Sequence, residues 1–208
     1  MNFKVIDTEN YTSVHSEANG YRLEICFGSE DNPPGNIEFF VDPNEKLPKG
    51  LWISARDSED YLELNPEQIL PGNTLIEVGA GLGGMVSKAL ERNAFVTVID
   101  PANYELMQDM LAHAIEQPRV SSIMKRIQIV KERCELALSD RVRLLNKPLL
   151  EVLEQNPELC GTADIVVDHM AAVFYARKLG CVSQVLAAEQ ALLKPEGTLY
   201  LYPLYHEY

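Results

Sequence analysis

The chain has 208 residues and a formal net charge of −13, with 46% hydrophobic and 24% charged residues. That is enough apolar material for one well-filled core, and so acidic a balance excludes a general nucleic-acid binder, whose affinity for phosphate comes from clustered Lys and Arg. No apolar run reaches the roughly 20 residues of a membrane span, and the opening Met1-Asn-Phe-Lys-Val-Ile-Asp7 lacks the basic-then-apolar order of a signal peptide, so a cytoplasmic protein without membrane contact is expected.

In chain order, the first signals are antiparallel. Tyr11-Thr-Ser-Val-His15 and Tyr21-Arg-Leu-Glu-Ile-Cys-Phe27 flank Asn19-Gly20, a strong hairpin turn signal, and Ile37-Glu-Phe-Phe-Val41 adds a strand after the Asn32-Pro-Pro-Gly-Asn36 break. Residues 1–52 therefore read as a β extension too small to fold alone, with Trp52 as an anchor. Residues 53–208 read as the main domain. It opens with a polar helix over 53–70 that leads into Pro71-Gly72-Asn73.

Leu75-Ile-Glu-Val78 then runs directly into Gly79-Ala-Gly-Leu-Gly-Gly84. An apolar strand ending in closely spaced glycines needs a turn in which backbone adopts φ > 0 or approaches a ligand closely, and a helix is expected to follow. The glycines alone leave two ligand classes open, because Gly79-x-Gly81-x-x-Gly84 also fits the dinucleotide fingerprint. Glu77 separates them. A carboxylate at the end of a strand buried on both faces costs several kcal/mol unless it meets a cation or donors. The ammonium of S-adenosylmethionine suits it, whereas a pyrophosphate is repelled.

Glu77-x-Gly79-x-Gly81-x-Gly83 resembles motif I of the class I S-adenosylmethionine-dependent methyltransferases. The likeness continues along residues 70 to 203. Phe95-Val-Thr-Val-Ile99 reads as a second strand ending in Asp100, where the family places the acid that takes both ribose hydroxyls. Val142–Asn146 reads as a third strand and Asp164–Asp168 as a fourth. Leu192-Leu-Lys-Pro-Glu-Gly-Thr-Leu-Tyr-Leu201 is similar to the family's turn into a fifth strand. Alternating strands and helical patterns give the same architecture without the family, an α/β Rossmann-like doubly wound sheet, mainly parallel, with its ligand at the carboxyl ends of the strands.

The resemblance implies cofactor contacts from Glu77, Gly79, Ala80, Gly81, Gly83, Asp100, Pro101, Asn146 and Asp168, and a substrate-facing or proton-accepting role for Asp168 and His169. The alternative reading of Asp168 is a cap on a helix beginning near Met170, with His169 packing or facing solvent. The cysteines Cys26, Cys134, Cys160 and Cys181 and the four histidines are dispersed, so no metal site is expected.

Three departures from the family pattern stand out. The chain ends soon after the fifth strand, without the usual last two strands, which leaves a sheet edge for the N-terminal hairpin or a partner subunit, such as a second copy in a homodimer, to cover. Asn146-Lys147-Pro148 replaces the acid that usually meets the adenine amino group, with Pro148 removing a donor. Two helices fill the connection from Asp100 to the third strand, and the second carries a basic run, including Lys125, Arg126, Lys131 and Arg133, over an apolar stripe of Ile123, Ile127, Val130, Cys134 and Leu138. The tyrosines Tyr200, Tyr202, Tyr205 and Tyr208 follow as terminal packing or a pocket wall.

The expected function is methyl transfer from S-adenosylmethionine to oxygen or nitrogen of a small molecule. A nicotinamide-dependent oxidoreductase, an aminopropyltransferase of spermidine synthase type and a non-catalytic cofactor-binding scaffold or regulatory subunit are the other readings.

Overall fold

The apolar β-branched runs form strands that sort into two sheets of opposite character. In the computed structural model, the described residues are 3–7, 12–18, 21–26, 36–41, 51–55, 64–116 and 124–202. They divide into two units, one of residues 1–55 with Asn103–Glu135, the other of residues 56–102 and 136–208.

In the first unit, β1 (Phe3–Asp7), β2 (Thr12–Ala18), β3 (Tyr21–Cys26), β4 (Asn36–Val41) and β5 (Leu51–Ser54) form an antiparallel meander in sequence order. Ala18 pairs with Tyr21, so the residues joining β2 to β3 are Asn19 and Gly20, as the turn signal requires. Ile37 and Phe39 of β4 alternate inward and are buried, as is Ile53 of β5, the residue opposite Phe39. The same unit holds α2 (Tyr104–Ile115) and α3 (Met124–Ala137), the two helices expected in that connection. Ile127, Val130 and Cys134 of the expected stripe are buried, Leu138 is half-buried, and Ile123 lies outside the described residues.

The polar helix expected over 53–70 is not the structure at either end of that range. Leu51–Ser54 is strand, because its alternation pairs with β4, and before the first parallel strand only one turn of 3-10 helix forms, Pro66–Gln68. Asn65 caps it and Pro66 sits at its first position, a geometry Pro tolerates at a helix start but not farther in. Residues 56–63 lie outside the described residues.

In the second unit, β6 (Thr74–Val78), β7 (Phe95–Ile99), β8 (Val142–Leu145), β9 (Ala163–His169) and β10 (Leu193–Tyr202) form an all-parallel sheet in the order β10-β9-β6-β7-β8. Counted from β6, that is 3-2-1-4-5, the order of a Rossmann-like methyltransferase core through its fifth strand, and the central strand β6 is where the order reverses. α1 (Met85–Glu91) follows β6 and packs on β6 and β7. α4 (Leu149–Gln155), α5 (Ala172–Leu179) and α6 (Val182–Leu192) share one apolar cluster with Ile76, Val78, Ile99 and Val166.

Strand alternation then assigns the faces. Ile76 and Val78 point to the α4–α6 cluster, while Leu75 and Glu77 point to the other side.

Among the described residues β10 pairs with β9 alone, so no strand of the N-terminal meander adds to that edge; β1 to β5 pair with one another in a sheet of their own, with β1 and β5 at its edges. Before β10 settles into register it bulges: Leu193 pairs with Ala163 and the next pair is Thr198 with Ile165. Asp164 pins that bulge. Its carboxylate accepts from Lys194 Nζ at 2.7 and 2.8 Å and from the Thr74 amide at 2.8 Å, tying three strands together.

Lys194 and the Thr74 amide hold the Asp164 carboxyl below its ordinary value of 3.8. A lowered carboxylate contributes stability that is present above the unfolded value and is lost as pH falls through the folded one. Asp164→Ala is expected to cost about 1–2 kcal/mol in urea unfolding at pH 7, scaled from charge-assisted hydrogen bonds. The gap between wild type and variant should shrink as pH drops below 3.8; a gap that is constant with pH refutes the assignment.

Candidate functional site

The carboxyl ends of β6, β7 and β9 each carry an acid, and each acid is buried: Glu77, Asp100 and Asp168. A buried carboxylate is tolerated only where donors meet it, so the partners define the site. Asp100, just past β7, accepts the Gly81 amide at 2.7 Å on one oxygen and the Ala102 amide at 2.8 Å on the other. It thereby clamps the glycine turn to the segment after β7.

The turn itself is built as the glycines require. Gly79 and Gly81 have φ of 64° and 54°, in the left-handed region that side chains rarely adopt. The Gly79 amide donates to the Ile99 carbonyl at 2.7 Å, and the Gly83 amide to that of Ala80 at 3.1 Å. At Gly79 a second reason applies, because a Cβ there stands 2.2 Å from the Cβ of Ala171 in the turn after β9. The two turns touch with no room for a methyl group.

Glu77 is the penultimate residue of β6, level with Val98 and Val167, and is 1% exposed. Its side chain shares its sheet face with those two residues. Val78, Ile99 and Asp168 are level on the opposite face, the one covered by α4 to α6. His169, the last residue of β9 and also buried, falls by alternation on the Glu77 face. Asp168 and His169, adjacent in sequence and read there as one functional pair, are thus divided by the sheet.

Asp168 does what a helix cap does. One carboxylate oxygen accepts the Ala171 amide at 2.8 Å and the other the Val173 amide at 2.7 Å, so it satisfies donors at the start of α5. Between them, Met170 takes φ of 56°, unusual for a residue with a side chain and enforced by the sharp exit from β9.

Asn146, after β8, donates its side-chain amide to the Ala102 carbonyl at 2.6 Å and secures the loop that holds Pro101, while the Asp100 amide donates to the Leu145 carbonyl. The Lys147 ammonium is drawn away to Glu151 and Gln155. Cys134 is buried in α3 with its thiol pushed up to about 12 by burial, a packing residue without nucleophilic character. Among the described residues no group of three potential ligands could hold a metal ion, and no helix is long and apolar enough to cross a membrane.

One residue of this region was not read from the sequence. Glu189 of α6 is 0% exposed, and burial together with the neighbouring Asp168 pushes its carboxyl up to about 9. The signal was present: Val185, Glu189 and Leu192 lie four and three residues apart on the apolar stripe of a helix, where an acid breaks the pattern.

No family model matches the chain, and no curated protein matches it. Among solved structures the chain is similar to Burkholderia thailandensis 1,6-didemethyltoxoflavin-N1-methyltransferase, solved with bound 1,6-didemethyltoxoflavin and S-adenosylhomocysteine. The identity is 20% and the TM-score 0.41, and the match covers 69% of this chain and 50% of that one, so the chain spans about half the length of that protein.

Gly79→Ala is expected to destabilise the protein by about 2–4 kcal/mol, from the left-handed φ and the overlap with Ala171 combined. Chemical denaturation reads it. A loss no larger than about 1–2 kcal/mol, the cost of the left-handed φ alone, removes the packing argument.

Proposed function

We propose that the second unit binds S-adenosylmethionine at the carboxyl end of its parallel sheet and transfers the methyl group to an oxygen or nitrogen of a small-molecule acceptor. The observation that carries this reading is Glu77, a buried carboxylate ending the strand at which the sheet order reverses, directly before a turn built from left-handed glycines. A pyrophosphate cofactor at that turn meets like charge, whereas an amino-acid ammonium meets a counter-ion.

The residues present fit such a cofactor. Glu77 would hold the ammonium, the backbone of Gly79, Ala80, Gly81 and Gly83 would line the approach, and Asp100, at the carboxyl end of β7 beside the glycine turn, would take the ribose diol. Asn146 and Pro101 border the place for the base. The sulfonium supplies an already activated methyl group when the cofactor is bound. What remains for the chain is alignment of the acceptor and removal of a proton where the acceptor needs it. His169, on the Glu77 face, is the candidate proton acceptor, and Asp168 serves as a positioning residue that fixes the segment carrying it through the α5 amides. The net charge of −13 disfavours a nucleic acid as acceptor.

Calorimetry with S-adenosylhomocysteine tests the site. Glu77→Gln and Asp100→Asn should each weaken binding by about 10- to 100-fold, the loss expected of a charge-assisted hydrogen bond, with folded far-UV spectra as control. Preference for decarboxylated S-adenosylmethionine redirects the reading to aminopropyl transfer, and NADH binding overturns the role of Glu77. Binding without turnover of any acceptor supports a scaffold. In a turnover assay, His169→Gln should lower kcat and flatten its acidic limb while leaving cofactor affinity within about threefold, the pattern of a lost general base.

A further inference from the structure

Glu189 is the only charged residue of α6. Its carboxyl is fully buried, and neither oxygen receives a hydrogen bond from a donor among the described residues. The group that faces it is the carboxylate of Asp168, two-hundredths exposed and already accepting from Ala171 and Val173. Two buried acceptors in contact are compatible only if one of the acids keeps its proton and donates it.

The donor must be Glu189, because two backbone amides favour the ionised form of Asp168 whereas nothing but Asp168 meets Glu189. The elements packed against α6 supply no cation to compensate. On α5, Arg177 and Lys178 are exposed, and Lys178 lies over the rings of Phe174 and Tyr175; on α4, the charged residues are the acids Glu151 and Glu154. Lys194 of β10 is committed to Asp164 of β9, and β10 otherwise offers Glu196 and Tyr200. His169 of β9 lies on the other face of the sheet by alternation.

We propose that Glu189 and Asp168 share one proton in the folded protein, and that this proton is a switch holding the exit of β9: while Glu189 donates it, Asp168 stays seated on the α5 amides and keeps Met170 in its left-handed turn. Loss of the proton leaves two negative charges in a buried contact. Asp168 or α6 must then move, releasing the start of α5. Glu189 is a positioning residue in this scheme, and the inference stands whether or not the domain transfers methyl groups.

The direction of the pH dependence follows. Glu189 has its carboxyl raised from 4.5 to about 9 in the folded state. Between those values the folded chain holds a proton that the unfolded chain has released, so stability falls as pH rises across the window. Glu189→Gln keeps a donor to Asp168 and removes that penalty.

The test is thermal unfolding of wild type and E189Q from pH 5 to 9, with infrared spectra of both. E189Q should match wild type near pH 5 and exceed its midpoint by roughly 8–16 °C at pH 8, given a tenfold change in the unfolding constant per pH unit across the window and the usual scaling of midpoint with stability for a chain of this size. Wild type at pH 7.5 should show the carbonyl band of a protonated carboxyl, absent from E189Q, and the protection of the Ala171 and Val173 amides, relative to intrinsic exchange at the same pH, should fall above pH 9 in wild type only. A difference between the two proteins that does not change with pH overturns the proposal. So does a wild-type spectrum without the protonated band, a reading that holds even if E189Q does not fold. A loss of cofactor binding in E77Q bears on the methyltransferase reading alone and leaves this one untouched.

Discussion

Aspartate side chains bound to backbone amides hold both ends of the parallel sheet together. At its carboxyl end Asp100 fastens the glycine turn to the segment after β7 and Asp168 fastens the exit of β9 to α5; at its amino end Asp164 joins the start of β6 to the bulge of β10. A parallel sheet ends its strands in loops whose N–H groups lack ladder partners, and burying those loops requires acceptors. Short acids at strand ends supply them. The glycine turn, the α5 start and the placing of Glu77 all inherit their geometry from these bonds.

That arrangement also separates structure from chemistry across the sheet. Residues level with one another in a parallel ladder share a face, so Glu77 and His169 belong to one side, while Asp168 and Glu189 meet within the packing of the other. The same strand end thus faces two environments: on one side the buried Glu77 and His169, where the cofactor is proposed to bind, and on the other the acid pair proposed to share a proton.

Much of this was legible in the sequence. The five parallel strands were visible because runs such as Phe95–Ile99 and Asp164–Asp168 are apolar, β-branched and short, and the glycine turn because few other structures need Gly79 and Gly81 so close together. The misread places have physical causes. The two ends of the helix expected over 53–70 differ because polar residues hid the pairing of Leu51–Ser54 with β4 and the helix-start proline at 66, while residues 56–63 lie outside the described residues. The split of Asp168 from His169 follows from strand alternation, but a compact acid–imidazole dipeptide invites reading as a unit. Glu189 went unseen because an acid on a helix is ordinarily solvated, and only its place in the apolar stripe marks it. The N-terminal hairpin or a partner subunit was expected to cover the edge of the main sheet; among the described residues the strands of the meander pair with one another and β10 pairs with β9 alone.

The contact between Gly79 and Ala171 reaches further than the choice of glycine. Where two turns are packed closely enough that an added methyl would stand only 2.2 Å from the Ala171 Cβ, neither moves independently. The turns after β6 and β9 therefore behave as one mechanical part, geared through a point of bare backbone. Any molecule that lifts the glycine turn on arrival must also drag the start of α5, and anything that loosens α5 slackens the turn. Occupancy and helix order become two readings of the same displacement.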